Sequence, residues 1–451
     1  MIEPLARRPD VCWYCCVSEA PSADEARDTI FTLAADQIDP ELGVVPVPVP
    51  ANVYRGYYGL ISNEVLWMLQ HHLVGQFGFQ YLDQGRHRAW TEGYLEANRR
   101  LADAIASAGG PFRAFLVQDY HLYPLPALLR RHFPATPSLH FTHIPFPDPP
   151  TLRLIPYTWR TVILEGLLGA DIVGMQTPSD VRNFCHACEE LLGATVDVDR
   201  STVVAPDGRV VRVRAFPAST DPAEVRAMMS LPTVEEASRR FRAGRDVATV
   251  IRVDRLDPSK NQIIGFMAFE RLLEMRPDLR GKVRFLAFLV PSRTDLGVYR
   301  EYRDAVYRVI DGVNARLGGG DGGASPPPIQ VFYSNDREQA LVAMAECDVL
   351  LVNSREDGMN LVVKEWAVVS RRPGVVIVSE TTGVAYETMD SALLISPLDV
   401  EGTAEAMARA IDMAPAERAA RLERIRARVL AWTAERWLAT QLEELLHAPS
   451  A

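Results

Sequence analysis

The sequence predicts an α/β protein of two domains, each built on a parallel sheet with helices on both faces. Apolar runs recur along the chain and alternate with stretches of helical periodicity. Most of these runs are continuously apolar, which is typical of strands buried on both faces of a parallel sheet. With 451 residues, 48% of them hydrophobic, the chain is long enough for two cores. Such sheets bind ligands at the carboxyl ends of their strands, so we expect the site in a cleft between the domains.

The first domain is predicted to span residues 1–222. "VCWYCCV" predicts its first strand, and "RAFLVQD", "SLHFTHIP" and "DIVGMQ" predict three more that alternate with helices. "TVVAPDGRVVRVRAFP" predicts a hairpin that turns at "PDG". "FPASTDPAEV" is the predicted link to the second domain.

The second domain is predicted to span residues 223–425. Six apolar runs predict its strands: "VATVIRV", "VRFLAFLV", "IQVFYS", "DVLLVN", "GVVIVS" and "ALLIS". "GGGDGGASPPP" follows a helix instead of a strand, and therefore predicts a flexible loop and not a phosphate-binding loop. One long amphipathic helix is predicted from Pro415 to Leu446, and residues 426–451 are expected to return to the first domain.

The composition and the ends of the chain indicate where the protein works. A formal net charge of −10 and the lack of a basic stripe argue against nucleic-acid binding. No apolar run reaches the length of a membrane span, and "MIEPLARRPD" lacks the apolar core of a signal peptide. We therefore expect a cytoplasmic protein with no membrane or nucleic-acid partner, and leave open whether it forms a homo-oligomer.

Two Cys-x-x-Cys pairs raise the question of a metal site. Cys12 and Cys15 would face opposite sides of a strand, whereas Cys185 and Cys188 share one face of a helix. We therefore predict that these cysteines pack in the core, together with His186. The prediction is that the protein has no metal site and no cofactor.

Polar residues follow the predicted strands at their carboxyl ends. Asp119 could bond sugar hydroxyls, hold a base or cap a helix. His143 precedes three prolines that fix a rigid loop, which favours a functional role over core packing. Arg255 and Lys260 leave one loop and suit a diphosphate, while Arg293 leaves another and suits a second phosphate. Only three of the 48 lysine and arginine residues are lysine, which favours a specific need for an ammonium at position 260.

The stretch "SREDGMNLVVKEW" runs from a predicted strand into a helix. An ordinary turn with a capped helix is one interpretation. The other is that Asp357 and the backbone N–H groups of Gly358–Leu361 hold a donor sugar and phosphate at the helix N-terminus. Glu365 follows at helical spacing and is placed to bond ribose hydroxyls.

The motifs "DYHL", "HIPFP", "RLDPSK", "PSR" and "DGMNLVVKE", in this order, resemble those of the trehalose-6-phosphate synthase family. "YYGLISNEVLW" resembles its acceptor-side segment, and the likeness runs from about Cys12 to the C-terminal helix. The resemblance implies a retaining glycosyltransferase of the GT-B fold, with two doubly wound Rossmann-like domains facing across a cleft. The implied reaction moves glucose from GDP-, UDP- or ADP-glucose to glucose 6-phosphate and gives α,α-trehalose 6-phosphate.

The resemblance also implies a role for each matching residue. The donor-binding residues would be Arg255, Lys260, Asp357, Gly358, Met359, Asn360, Leu361 and Glu365. The acceptor-binding residues would be Tyr58, Trp67, Asp119 and Arg293, with Arg293 on the 6-phosphate. The catalytic residues would be Asp119, His143, Arg255 and Lys260. In the implied mechanism the acceptor attacks from the leaving group's own side, cationic side chains take the place of a metal, and no carboxylate nucleophile is needed.

The chain departs from the family pattern at two places. Asn261 stands where the family has glycine, which leaves the donor nucleotide open. We also expect that the family's first strand and glycine-rich loop are missing, so that Arg7 or Arg8 partly replaces a lost cation in a loosened site. Two alternatives to the synthase stay open. One is a pseudo-glycosyltransferase that couples a nucleotide-activated cyclitol to a phosphorylated aminocyclitol, and the other is a non-catalytic regulatory homologue.

Overall fold

The computed structural model describes residues 10–19, 43–76, 79–243, 247–294, 296–318 and 326–446. The chain forms two compact units. The first unit contains Met1–Ala218 and Trp437–Ala451, and the second contains Ser219–Arg436. The chain therefore leaves the first unit inside the segment "FPASTDPAEV". Arg7 and Arg8, like most of "GGGDGGASPPP", lie outside the described residues.

The first unit is built on a six-stranded sheet and a separate pair of parallel strands. Its strands are β1 (Trp13–Ser18), β2 (Val44–Val49), β3 (Phe115–Gln118), β4 (Ser138–Phe141), β5 (Ile172–Met175), β6 (Val196–Asp197), β7 (Thr202–Val204) and β8 (Val210–Ala215). The sheet has the order β3-β4-β5-β8-β7-β6, with β3, β4, β5 and β8 parallel and the predicted β7–β8 hairpin antiparallel. Every residue of β4 and β5 is buried, as their continuous apolar runs predict.

The second unit is built on a six-stranded parallel sheet. Its strands are β9 (Ala248–Arg255), β10 (Val283–Val290), β11 (Ile329–Tyr333), β12 (Val349–Val352), β13 (Val375–Ser379) and β14 (Leu393–Ile395). Their order is β11-β10-β9-β12-β13-β14, so the direction in which strands are added reverses between β9 and β12. A crevice opens outside the carboxyl ends of the strands at such a switch point, and there α/β sheets bind ligands. The predicted pair of parallel-sheet domains is confirmed.

Helices connect the strands in both units. They are α1 (Ala51–Tyr54), α2 (Arg55–Leu66), α3 (Trp67–Gln70), α4 (Gln84–Arg88), α5 (Ala89–Leu95), α6 (Glu96–Ala108), α7 (Leu125–His132), α8 (Pro149–Leu152), α9 (Tyr157–Leu167), α10 (Pro178–Leu192), α11 (Pro222–Met229), α12 (Pro232–Ala243), α13 (Gln262–Met275), α14 (Gly297–Leu317), α15 (Arg337–Glu346), α16 (Leu361–Val369), α17 (Ala385–Thr388), α18 (Val400–Asp412), α19 (Pro415–Ala431) and α20 (Ala434–Leu446). α2 and α5 are π-helical. Within the described part of the chain, no helix is both long enough and apolar enough to cross a membrane.

Helix α10 carries the second Cys-x-x-Cys pair. It begins with a capping box, in which the Thr177 hydroxyl accepts the Asp180 N–H and the Asp180 carboxylate accepts the Thr177 N–H. Cys185 and Cys188 are buried, as predicted from their shared face. His186 is exposed because it projects away from that face, so its predicted core position is wrong.

Strand β1 is present where "VCWYCCV" predicts it, but Val17 is the only one of its six residues that is buried. Tyr14 and Cys16 pack against the core cluster that contains Leu101. The alternate residues face away from this cluster, and Trp13 is 39% exposed. Cys12 lies before the strand and is exposed, so the prediction that it packs in the core is wrong.

The C-terminal helix is interrupted, contrary to the prediction of one helix. Trp432 leaves the helical conformation after α19 (φ −130°, ψ 84°), and the Thr433 hydroxyl accepts the Arg436 N–H in the first turn of α20. From Trp437 onward, α20 belongs to the first unit. There the Trp437 indole donates to the Phe216 carbonyl (3.0 Å), and Arg214 pairs with Glu444 (2.7 Å).

Candidate active site

Asp119 and His143 lie side by side where two neighbouring strands of the first unit end. Asp119 follows β3 with a left-handed backbone (φ +71°), and its N–H donates to the Phe141 carbonyl of β4 (2.7 Å). The Asp119 carboxylate accepts the His143 N–H (3.1 Å) and does not cap the helical turn Tyr120–Leu122. The capping interpretation is therefore wrong. A left-handed aspartate is strained, and such strain clusters at functional sites.

The imidazole of His143 is held between Gln118 and two aromatic rings. Its Nε2 lies 2.9 Å from Gln118 Oε1, and its ring packs against Phe141 and Trp437, with centroids 4.7 and 6.1 Å away. Burial lowers the pKa of His143, so the ring is neutral at pH 7. Because Gln118 Oε1 can only accept, Nε2 carries the proton and Nδ1 is the acceptor of the ring. His143 can thus bond a sugar hydroxyl but supplies no cation.

An aromatic stack carries the two predicted acceptor residues of the "YYGLISNEVLW" segment. Tyr58 is half-buried and stacks on His121, with centroids 5.5 Å apart and planes 13° apart. His121 contacts Tyr120 (4.0 Å), which in turn lies 5.9 Å from Trp67. Trp67 is buried, at 5% exposure. His121 comes two residues after Asp119, so it connects the aromatic stack to the end of β3. This role was not predicted from the sequence.

In the second unit, Lys260 and Asp357 meet at the switch point. Lys260 lies in the turn that follows β9, and Asp357 lies in the turn that follows β12. Lys260 Nζ is 2.6 Å from Asp357 Oδ2, and the two side chains are only 12% and 14% exposed. This contact joins two predicted donor-binding residues that are 97 positions apart in the chain.

The turn from Asp357 to Leu361 is shaped by unusual backbone geometry. Asn360 has φ +130°, its amide donates to Asp357 (3.1 Å), and its oxygen caps α16 through the Val363 N–H (3.3 Å). Gly383 lies so close to Gly358 that a β-carbon there would fall 1.9 Å from the Gly358 carbonyl oxygen. Met359 is buried, and Leu361 is the first residue of α16. The turn therefore caps α16 and also lies after the carboxyl end of β12, so the capped-turn interpretation does not exclude the ligand-binding one.

Arg293 is fixed by a fully buried carboxylate. Its Nη1 lies 3.1 Å from Asp257 Oδ2 and 2.5 Å from the Tyr299 hydroxyl, and its backbone is left-handed (φ +45°). Asp257 has no exposed surface, and the Arg293 side chain is 12% exposed. Arg255 is the last residue of β9 and is half-buried. Because a guanidinium is a rigid planar fork, the contacts of Nη1 fix the direction of the whole Arg293 head group.

Glu365 contacts Arg337, a basic residue that was not predicted from the sequence to belong to the site. Arg337 Nη2 lies 3.0 Å from Glu365 Oε1, and Arg337 Nη1 lies 2.6 Å from Glu224 Oε1. Burial raises the pKa of Glu365, and the Arg337 guanidinium opposes that rise. A spacing of 28 residues between the partners gives no periodic signal by which a sequence pattern could have found the pair.

Asn261 stands where the family pattern has glycine, and the structure explains why asparagine is tolerated. Its backbone is left-handed (φ +57°), a conformation that glycine adopts freely and asparagine adopts more readily than most residues. Its side-chain amide donates to the carbonyls of Asn353 (3.0 Å) and Pro397 (2.6 Å). The change therefore keeps the backbone path of the turn and ties it to two neighbouring loops.

The predicted site residues fall into two groups, one in each unit. The first unit holds Tyr58, Trp67, Asp119 and His143. The second holds Arg255, Lys260, Arg293, Asp357, Gly358, Met359, Asn360, Leu361 and Glu365. Arg293 is thus the one predicted acceptor residue that belongs to the second unit.

The sequence model of glycosyltransferase family 20 matches residues 1–447. The chain belongs to glycosyltransferase family 20. It is therefore an enzyme that transfers glycosyl groups, as its motifs predict.

Relatives of this family 20 chain include two proteins with which it is 34% identical. One is a trehalose-6-phosphate synthase of Mycobacterium sp. strain KMS, aligned over 98% of this chain and 88% of the relative. The other is a bifunctional trehalose-6-phosphate synthase/phosphatase of Thermoproteus tenax. That alignment covers 96% of this chain, which spans only 57% of the length of the bifunctional protein.

Solved structures of similar fold include two ligand complexes. The α,α-trehalose-phosphate synthase (UDP-forming) of Burkholderia xenovorans in complex with glucose-6-phosphate has a TM-score of 0.81 at 30% identity, covering 89% of this chain and 87% of the other. The E. coli protein bound with UDP-2-fluoro glucose has a TM-score of 0.85 at 26% identity, covering 99% and 96%. Together with the two parallel sheets, these likenesses confirm the GT-B fold for the family 20 chain.

Proposed function

We propose that the protein moves glucose from a nucleoside-diphosphate glucose to glucose 6-phosphate, with retention, and so forms α,α-trehalose 6-phosphate. The observation that carries the proposal is the Lys260–Asp357 pair at the switch point of the second sheet. It offers an anion-binding cation and a sugar-binding carboxylate at the place where α/β sheets hold nucleotides. The similarity to trehalose-6-phosphate synthases supports the same reaction.

Lys260 and Arg255 would bind the donor diphosphate. In the absence of ligand, Asp357 is the counter-ion of Lys260. A bound diphosphate would take over that role and release the Asp357 carboxylate for the hydroxyls of the donor sugar. The diphosphate gains charge as it leaves, so a fixed ammonium stabilises the transition state more than the ground state.

The remaining donor contacts would come from the turn after β12 and from the first unit. Asp357 and the Gly358–Asn360 backbone would hold the glucose, and neutral His143 would bond one of its hydroxyls. Leu361 and Glu365 would meet the nucleoside. UDP-glucose is the first donor to test, since the E. coli relative binds a fluorinated UDP-glucose.

Arg293, Tyr58, Trp67 and Asp119 would bind the acceptor. The guanidinium of Arg293, oriented by Asp257, would pair with the 6-phosphate. Tyr58 belongs to the aromatic stack and would pack against the sugar ring, as aromatic faces do with apolar surfaces. Asp119, held at the end of β3, would accept a bond from a sugar hydroxyl.

The chemical step would occur on one face of the donor sugar. The acceptor's anomeric hydroxyl oxygen forms a bond to the donor's anomeric carbon from the side of the leaving group. The bond from that carbon to the diphosphate oxygen breaks, and the same phosphate oxygen takes the hydroxyl proton. The protein positions the two substrates and stabilises the developing charge.

A turnover grid tests this proposal. UDP-, GDP- and ADP-glucose are each offered with glucose 6-phosphate, free glucose and a phosphorylated aminocyclitol, with a nucleotide-activated cyclitol as a further donor. We expect turnover with glucose 6-phosphate and at least one sugar nucleotide. Turnover with the cyclitol pair alone would replace the proposal with the pseudo-glycosyltransferase, and no turnover with any pair would replace it with a regulatory role.

A further inference from the structure

Arg337 links three elements of the second unit. It is the first residue of α15, directly after the N-cap residue Asp336. One arm of its guanidinium bonds Glu365 on α16 (3.0 Å), and the other bonds Glu224 on α11 (2.6 Å). The Glu365 side chain is 18% exposed, whereas those of Arg337 and Glu224 are 43% and 51% exposed. The least exposed member of the triad is therefore the one proposed to meet the nucleotide.

We propose that Arg337 is a positioning residue that orients the Glu365 carboxylate toward the ribose hydroxyls of the donor and thereby makes the site selective for ribonucleotides. This inference rests on the proposed role of Glu365. Arg337 bonds Oε1 of that carboxylate, which fixes the plane of the group. Arg337 holds Oε1, and the other carboxylate oxygen of Glu365, Oε2, then accepts a hydrogen bond from a ribose hydroxyl.

The geometry of the triad formed by Glu224, Arg337 and Glu365 supports a positioning role for Arg337 more than a contribution to the stability of the fold. A guanidinium presents its N–H groups in a rigid fork, so anchoring one arm fixes the direction of the other. Glu224 supplies that anchor, and it lies in the first turn of α11. The partly exposed Glu224–Arg337 pair adds little to folding, because solvent weakens such pairs. Its effect is to limit the rotamers of Arg337 and, through it, those of Glu365.

The test measures nucleotide affinity with and without a ribose hydroxyl. Isothermal calorimetry compares UDP with 2′-deoxy-UDP, and GDP with 2′-deoxy-GDP, on the wild-type protein and on Arg337→Gln. Of UDP and GDP, we consider the one that the wild type binds more tightly. We expect it to bind about 10-fold more strongly than its deoxy form, because the deoxy form loses one charge-assisted hydrogen bond. For Arg337→Gln we expect the ratio of ribonucleotide affinity to deoxynucleotide affinity to be below about 3. The drop should come from weaker ribonucleotide binding, while deoxynucleotide affinity changes by less than about 2-fold.

Matched variants separate positioning from structure. Arg337→Lys keeps the charge but not the fork, and should recover part of the ratio. Arg303→Gln removes an exposed arginine of α14 that pairs with Asp304, and should leave both affinities unchanged. An equal loss of affinity for ribonucleotide and deoxynucleotide in Arg337→Gln would mean a merely structural role and would overturn the inference.

The outcomes also separate this inference from the proposed function. A wild type that prefers ribonucleotides and an Arg337→Gln variant with the same preference would overturn the inference and leave the function standing. A wild type without any ribose preference would overturn the inference together with the ribose role of Glu365. An Arg337-dependent preference in a protein that forms no trehalose 6-phosphate would support the inference while the proposed function fails.

Discussion

At the scale of single residues, two of the cations proposed to bind phosphate are paired with a carboxylate in the structure. Lys260 pairs with Asp357, and Arg293 pairs with the fully buried Asp257. The two pairs differ in what a ligand would do to them. Asp257 has no exposed surface and stays with Arg293, whereas Asp357 is itself a predicted ligand of the donor sugar. Donor binding is thus expected to rearrange the Lys260 pair and to leave the Arg293 pair intact.

Replacing Lys260 should slow the chemical step. Lys260→Gln removes the ammonium that stabilises the leaving diphosphate, so we expect kcat to fall by about 10²–10³-fold, with a smaller rise in donor KM. Steady-state kinetics with saturating acceptor measures both values. Lys282→Gln is the control, because Lys282 is an exposed lysine of the same unit. A rise in donor KM at unchanged kcat would show that Lys260 binds ground state and transition state equally.

Replacing Arg293 should weaken the acceptor selectively. Arg293→Gln loses a charge-assisted bond of roughly 1.5–3 kcal/mol, which corresponds to a rise in the KM for glucose 6-phosphate of about 10–150-fold. Donor KM should change little, and turnover with unphosphorylated glucose, if measurable, should not fall. Arg303→Gln again serves as the control. An acceptor KM equal to that of the wild type would show that Arg293 does not bind the 6-phosphate.

His140 should make the fold sensitive to acid. It is fully buried in β4, its Nε2 lies 3.2 Å from the Asp119 carbonyl, and its Nδ1 has no hydrogen-bond partner. Burial lowers the pKa of His140 to about 4, against about 6.5 when unfolded. The unfolded chain therefore binds the proton first as the pH falls. His140 should cost up to about 3 kcal/mol of stability between pH 6.5 and pH 4.

Chemical denaturation at a series of pH values measures this effect. His140→Gln can still donate to the Asp119 carbonyl but does not titrate, so its unfolding free energy should fall less steeply between pH 6.5 and pH 4. Equal slopes for the two proteins would mean that His140 does not titrate differently on folding.

Sequence patterns indicated where the proposed site residues lie in the fold, but not which residues they contact. Asp119 and His143 lie within two residues of the ends of β3 and β4, and Lys260 and Asp357 lie in the polar turns that follow β9 and β12. Asp257, Arg337 and His121 were missed because they act through contacts between different turns and helices. Such contacts depend on the order of strands in the sheet, which periodicity does not report.

At the scale of elements, a close contact between the π-helical segments α2 and α5 bears on the position of a proposed acceptor-binding residue. Gly56 of α2 and Gly93 of α5 meet so tightly that a β-carbon on Gly93 would lie 2.7 Å from the Gly56 backbone. α2 also carries Tyr58. π-helical turns are rare and frequent at functional sites. The contact therefore ties the position of Tyr58 to a backbone approach that only glycine permits.

Gly93→Ala should destabilise the protein by about 1–3 kcal/mol, because the added methyl group must push the two helices apart. Gly59→Ala is the matched control in α2, since its new methyl group would meet no atom closer than Arg55 Cγ at 3.9 Å. That variant should be neutral or gain up to about 1 kcal/mol. Thermal and denaturant unfolding measure both. Similar effects at the two positions would mean that the glycine contact does not determine the packing.

The strands were predicted well and the ends of helices less well. Each continuous apolar run of the two sheets became a parallel strand, because burial on both faces leaves a strong signal. The break at Trp432 was missed, since the amphipathic pattern continues across it and only the cap at Thr433 marks the new helix. The π-helical form of α2 and α5 also leaves no trace in a pattern read at helical spacing.

At the scale of the whole molecule, the proposed site residues are divided between two folded units. The first carries the left-handed Asp119, neutral His143 and the aromatic stack. The second carries the cations and the capped turn at its switch point. The chain enters the second unit after Ala218 and returns to the first at Trp437. The expected absence of the family's first strand and glycine-rich loop stays a prediction, because residues 1–9 lie outside the described residues.

The most direct test of the central claim is the configuration of the product. The protein is incubated with UDP-, GDP- or ADP-glucose and glucose 6-phosphate, and the sugar phosphate that forms is examined by proton NMR. We predict a non-reducing disaccharide phosphate with both anomeric protons in the α configuration, formed in step with release of the nucleoside diphosphate. A β-linked product, or release of the nucleotide with free glucose as the sole sugar product, would contradict it.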